Sequence, residues 1–249
     1  MDIILNTWVF EDRVKSGVGQ AELVEKAAQL HADGLEIRRE YFKDFATEMP
    51  LIAQKVREQS LILNYSVPDE VFLQDGSFNP KLKQYFDEAH AMGVTKIKFN
   101  TGNFADFHGD LAAELKQLPL DEIQMNVEND QTAISGTVTA IETFLTAARE
   151  VGINEIGYVY DLGNWAFTGG DAVEAAKKLG KYTHYIHLKN TIKNETGLVT
   201  SDDLDDGLYD WRKLMTILPQ DQMVAIEFPM TTDEQISHQI ELLRNWKGR

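Results

Sequence analysis

The chain has 249 residues, 43% of them hydrophobic, which is enough apolar material to bury the core of one large domain. Its formal net charge of −16 excludes non-specific binding to nucleic acid or to an anionic membrane, since both need positive charge. Cysteine is absent, so disulfides, thiolate catalysis and cysteine-type zinc sites are excluded, and a reducing cytoplasm is the expected compartment.

No apolar run approaches the roughly 20 residues that cross a bilayer. The opening "MDIILNTW" lacks a basic segment ahead of its short apolar run, so a cleaved signal peptide is not expected. From there, short β-branched or apolar runs alternate with longer helical patterns. The expected strands are 3–8, 34–39, 61–66, 96–100, 124–128, 156–161, 185–189 and 223–228. Leu23, Ala27 and Leu30 share a helical face ahead of a stop at Gly34. Ile134, Val138, Ile141, Leu145 and Ala148 form a second stripe that ends near Gly152. In "GGDAVEAAKKLG", Asp171 is the expected N-cap, Glu174 follows three residues later, and Gly180 is the stop. The last helix is expected to start near Thr232 and to carry Ile236, Ile240 and Leu243.

Eight strands in strict alternation with eight helices imply parallel strands joined by right-handed crossovers. Eight such units in this length predict a (β/α)8 TIM barrel, α/β in class, with residues 1–249 as a single domain. An open doubly wound sheet is the competing fold. It usually carries a glycine-rich phosphate loop after an early strand, and "TWVFEDRVKSGVGQ" has neither form of that motif.

Four strands end on an ionisable residue where an apolar one would normally continue: Glu128 in "MNVEND", Asp161 in "VYDLGN", His187 in "YIHLKN" and Glu227 in "VAIEFP". A buried charge is costly unless it is paired, metal-bound or open to a pocket. These are consecutive strands five to eight, and barrel active sites lie at the C-terminal strand ends, so the four side chains should converge. Three carboxylates and an imidazole suit one divalent ion, Mn²⁺ first, with Mg²⁺, Co²⁺ or Zn²⁺ as alternatives. Without a cation the carboxylates would repel one another. Taken singly, each residue could equally cap a neighbouring helix; four in succession favour a common ion.

The stretches "NVEND", "YDLGN", "IHLKN" and "AIEFP" resemble the xylose isomerase-like barrels grouped as sugar phosphate isomerases/epimerases, which include ketose 3-epimerases and inositol-catabolism enzymes. Intervals of 33 residues from Glu128 to Asp161 and 26 from Asp161 to His187 are similar to those of the ketose epimerases. The resemblance implies that Glu128, Asp161, His187 and Glu227 bind one metal, and that Glu128 and Glu227 also serve as catalytic acid and base. It implies a metal-dependent sugar or sugar phosphate isomerase or epimerase that removes a proton next to a carbonyl through an enediolate. A dehydratase or lyase acting on a polyol or keto acid, and a sugar-binding barrel without turnover, are the alternatives. Three positions depart from the family pattern: Asn164 stands where many epimerases have histidine, Lys193 where they have arginine, and Asn190 where relatives have aspartate.

Further substrate-binding candidates follow from position. Asn164 can donate a hydrogen bond to a substrate oxygen but cannot act as an acid at neutral pH. Glu36 and Arg38 in "LEIRR" should face the barrel mouth as a clamp, or as a structural pair. Lys98 in "KIKFN", and Lys189 two residues after His187, should reach substrate oxygens, and Lys193 offers a further charge. Trp8, Tyr65 and Trp165 lie near strand ends, where a ring can stack on a sugar or pack in the core; Trp8 is the aromatic candidate for the pocket. The remaining histidines have no supporting context. The expected partner is a small sugar-like molecule rather than nucleic acid or membrane, and the resemblance allows a homo-oligomer. The loops "NTIKNETGLVTSDD" and "PMTTDE" make a poor phosphate cradle.

Overall fold

A computed structural model describes residues 1–246; the last three residues of the expected domain, 247–249, lie outside the described residues. Eight parallel strands close into a barrel: β1 (Ile3–Asn6), β2 (Gly34–Arg38), β3 (Ile62–Phe72), β4 (Lys96–Gly102), β5 (Gln124–Glu128), β6 (Gly157–Asp161), β7 (Thr183–Leu188) and β10 (Val224–Ile226). Neighbours pair in sequence order, and β10 pairs with both β7 and β1 to complete the circle. Between β7 and β10 the chain makes an antiparallel hairpin, β8 (Thr191–Asn194) and β9 (Gly197–Thr200), where the sequence reads as a loop. Its strands are four residues each, with only Ile192, Leu198 and Val199 apolar, so they carry little of the apolar alternation that marks a strand.

The helices wrap the outside. Helix Gln20–Gln29 buries Leu23, Val24 and Ala27 against the barrel. Helix Val138–Glu150 buries Ile141, Phe144, Leu145 and Ala148. It begins at Thr137, whose side chain accepts from Ala140 N, so Ile134 falls outside the expected stripe and is exposed. Asp171 caps helix Ala172–Leu179, accepting from the backbone of Val173 and Glu174 as its spacing predicts. Thr232 and Gln235 form a reciprocal capping box at the start of helix Asp233–Asn245, which buries Ile236, Ile240 and Leu243.

Alternation along each strand sets what faces the barrel interior. Outward residues such as Leu35, Ile37, Met125 and Val127 join the large core beneath the helices. Inward, a small apolar plug of Ile4, Val159, Tyr185 and Ala225 fills one level of the barrel. Two residues further along the same strands stand Asn6, Asp161, His187 and Glu227. The chain therefore changes from apolar to ionisable within one inward step, and that step lies toward the C-terminal mouth.

Candidate metal centre

Glu128, Asp161, His187 and Glu227 are all buried, and one ligand atom from each lies within 4.8 Å of every other. His187 Nδ1 is 2.9 Å from Glu128 Oε1 and 3.0 Å from Glu227 Oε2. Asp161 turns Oδ1 toward its own chain, accepting from Asn164 N at 3.0 Å, and points Oδ2 into the cluster. Glu128 Oε1 and Asp161 Oδ2 are buried and accept no well-aligned hydrogen bond; their close contacts are the ionic ones to His187 Nδ1 and the Lys189 ammonium. Two carboxylate oxygens short of well-aligned hydrogen bonds, an imidazole nitrogen and a third carboxylate are an oxygen-rich donor set that fits one hard divalent cation.

Cations and amides hold the rest of the cluster. Lys98 Nζ is 2.5 Å from Glu128 Oε2 and 3.6 Å from Glu227 Oε1. Lys189 Nζ is 2.6 Å from Asp161 Oδ2 and 3.1 Å from Glu227 Oε2. Glu227 Oε1 also accepts from Asn6 Nδ2 and from Arg38 Nη1, each at 3.2 Å. Burial opposes ionisation of both glutamates. Lys98, and then His187, outweigh that for Glu128, while Lys189, Lys98 and His187 do so for Glu227, and both end below the ordinary carboxylate range. Asp161 behaves differently: its burial is the larger effect, and it rises despite Lys189. On the lysine side of that contact burial is outweighed, and the Lys189 ammonium is strengthened by Asp161 and Glu227.

His187 uses its second nitrogen as well. Nε2 is 3.2 Å from Glu36 Oε2, and Glu36 is held in turn by Asn6 Nδ2. A carboxylate behind a ligating histidine fixes the ring's tautomer and orientation. Burial works against a charged His187, and Glu36 and Glu227 raise it well above the usual imidazole range.

The mouth above this cluster is a cavity of about 220 Å³. Trp8, Arg38, Lys98, Asn164 and Lys189 line it with Glu128 and Glu227, as the sequence positions predict. Two candidates stand elsewhere. Glu36 faces inward but lies two residues deeper than Arg38, under His187 rather than at the cavity wall. Lys193 is exposed on the β8–β9 hairpin, which carries it away from the cavity. Asn164 donates to Asn129 O at 2.8 Å and accepts from Gln131 Nε2 at 3.0 Å, so the loops after β5 and β6 lock it in place. Of the other aromatic candidates, Tyr65 turns outward to Glu88 and Trp165 is buried. Gly163 allows the β6 loop to approach β7, because a Cβ there would meet Lys189 Cγ at 2.6 Å.

The sequence reading missed several residues. Ser66, Val67, Pro68, Asn100, Asp130 and Gln131 also line the cavity. Ser66 and Asn100 share the inward parity of Asn64 and Lys98, a signal that was present in the sequence. Asn6 ends β1 at the same level as Glu227 and gave the same signal.

No family model matches this chain, and no curated protein matches it in sequence. Solved structures do match in fold. The probable 3-DHS dehydratase AsbF of Bacillus anthracis superposes with a TM-score of 0.73 at 16% identity, over 99% of this chain and 100% of that one. D-psicose 3-epimerase of Clostridium cellulolyticum H10 gives 0.69 at 11% identity, over 99% of each chain. The IolI protein, solved with a bound zinc atom, gives 0.67 at 14% identity over the whole of both chains. The chain has the fold of the xylose isomerase-like TIM barrels.

Proposed function

We propose that the chain is a divalent-metal-dependent isomerase or epimerase of a sugar or sugar-like substrate. One observation carries the reading: Glu128, Asp161, His187 and Glu227 bring ligand atoms within 4.8 Å of one another beneath a cavity, and two of their carboxylate oxygens lack a well-aligned hydrogen bond. Glu128, Asp161, His187 and Glu227 would hold the ion, with Mn²⁺ the first choice for an oxygen-rich set. When bound, a divalent ion polarises a substrate carbonyl and acidifies the neighbouring C–H.

The protein groups do the rest. Glu128 and Glu227 belong to β5 and to the end of β10, and both line the cavity, so they reach a substrate from different sides. Lys98 beside Glu128, with Lys189 and Lys98 beside Glu227, keep the two carboxylates ionised at neutral pH, and each has a second oxygen able to accept a proton. Glu128 removes a proton beside the carbonyl to give an enediolate, and Glu227, after taking up a proton from a substrate hydroxyl or from water, returns one to carbon. Return to the other face of the same carbon is epimerisation; return to the neighbouring carbon, with a proton moved between the two oxygens, is isomerisation. The cations beside both carboxylates also offset charge that develops on the substrate.

A second reading, a dehydratase acting on a polyol or keto acid, is supported by the dehydratase among the structural neighbours and by Asn164 in place of an acid. Both readings share the first proton abstraction. Under either, residues 1–249 act as one domain in the cytoplasm, and the partner is a small molecule. The test is incubation of Mn²⁺-loaded protein with a panel of ketoses and keto acids in D₂O. Deuterium gained at carbon without loss of water supports the isomerase or epimerase; loss of water supports the dehydratase; neither, across the panel, contradicts proton abstraction.

A further inference from the structure

Lys189 is only 5% exposed, and among the described residues the carboxylates within 4 Å of its ammonium are Asp161 and Glu227. It meets them at Asp161 Oδ2, which points into the cluster, and at Glu227 Oε2, which also lies 3.0 Å from His187 Nδ1. The neighbouring cations are placed differently. Lys98 contacts Glu128 at Oε2, away from His187, and Arg38 keeps both Glu227 Oε1 and Glu40. An ion held by the four residues would therefore take both of Lys189's partners and leave those of Lys98 and Arg38 largely in place. A buried ammonium beside a dication, stripped of its counter-charges, is strongly unfavourable unless an anion joins it.

The cavity supplies the place for that anion. Lys189 lines it, with Nζ 5.5 Å from the Trp8 ring centroid, and the Arg38 guanidinium flanks the same ring at 5.5 Å. The remaining cavity carboxylate, Asp130, already accepts from Thr132 N and Thr132 Oγ1 at 2.8 and 2.7 Å. We propose that the substrate carries a carboxylate, as in a sugar acid or keto acid, and that Lys189 is the residue that selects it over the neutral sugar. This rests on the metal-dependent reading above and narrows its substrate class.

The probes are 2-keto-D-gluconate and D-fructose, which differ by a carboxylate in place of one CH₂OH. Each is titrated calorimetrically into Mn²⁺-loaded protein whose metal content is measured on the same sample. The keto acid is expected to bind at least tenfold more tightly than fructose. Lys189→Met should reduce that preference to about threefold or less, retain metal and bind Mn²⁺ more tightly than the wild type. Lys189→Arg should keep the preference. If Lys189→Met fails to fold by circular dichroism, Lys189→Gln takes its place. A wild type that holds one Mn²⁺ and binds the two probes alike overturns the proposal and leaves the metal-dependent reading standing. So does a preference that survives in Lys189→Met. A wild type that binds no metal overturns both.

Discussion

Two groups of buried charge, one outside the barrel wall and one inside it, are finished differently. On the outer face, Glu88 accepts from Arg39 Nε and Nη2 at 2.9 and 2.8 Å, from Tyr65 at 2.7 Å and from Gln84 at 2.9 Å. The Arg39 guanidinium is sandwiched between Phe45 and Tyr85, 4.6 and 4.7 Å from their ring centroids. Every oxygen of that carboxylate has donors. On the inner face, three carboxylates crowd one histidine, and two of their oxygens have only a poorly aligned ionic neighbour, His187 or Lys189. A closed ion pair ties a helix to a barrel. An open one keeps unmet demand for a cation, and this is how a structural cluster and a candidate reaction site differ when both are built from Glu, Arg and Lys.

The comparison predicts opposite responses to substitution. Glu128→Gln should lower solvent-deuterium incorporation into a turned-over substrate by about 100-fold or more, the usual contribution of a general base, while thermal unfolding shifts little. An equal rate would remove Glu128 from the proton-transfer role. Glu88→Ala should do the reverse. It strands Arg39 beside the barrel and should cost about 3 kcal/mol in urea unfolding, with metal content unchanged. A loss below about 1 kcal/mol would place this pair with ordinary surface salt bridges.

pH separates the two groups further. Burial raises Glu88, but Arg39 and Tyr65 outweigh it and hold it below the ordinary value. A lowered folded pKa gives stability that is present above the unfolded value and fades as pH falls through the folded one. The stability gap between wild type and Glu88→Gln should therefore close below about pH 4.3. Asp161 has the opposite sign. Burial pushes it from 3.8 up to about 7, so the folded chain binds that proton more tightly than the unfolded one. Metal-free protein should accordingly lose stability as pH rises from 4 toward about 7. His187, raised as well, acts in the same sense but only above its unfolded value of 6.5, so it extends the loss to higher pH. Asp161→Asn should flatten that slope in a series of thermal melts; an unchanged slope would assign it to other groups. This is the smallest of the expected effects.

Much of the inner group is legible in the sequence because a strand has only two faces. Once Glu128, Asp161, His187 and Glu227 are recognised at successive strand ends, parity and barrel closure bring them together. The same logic places Arg38, Lys98 and Lys189 at the cavity. It fails in depth: Glu36 and Arg38 share a face, yet one step of two residues separates a support under His187 from the cavity wall. It fails again where no strand period exists. Asp130 and Gln131 enter the cavity from a loop, and Lys193 leaves it on a hairpin with only three apolar residues among the eight of its strands. The outer group was not anticipated, because Glu88, Arg39 and Tyr65 lie on three different elements and each alone reads as an ordinary surface or core residue.

The central claim is that the inner group holds one divalent ion, and elemental analysis tests it most directly. Purified chain is loaded with Mn²⁺, desalted and compared with His187→Ala treated alike. About one metal per chain in the wild type, lost in the variant, is the expected result. A wild type that binds no Mn²⁺ even on direct titration, or a variant that retains it equally, would contradict a common ion at Glu128, Asp161, His187 and Glu227.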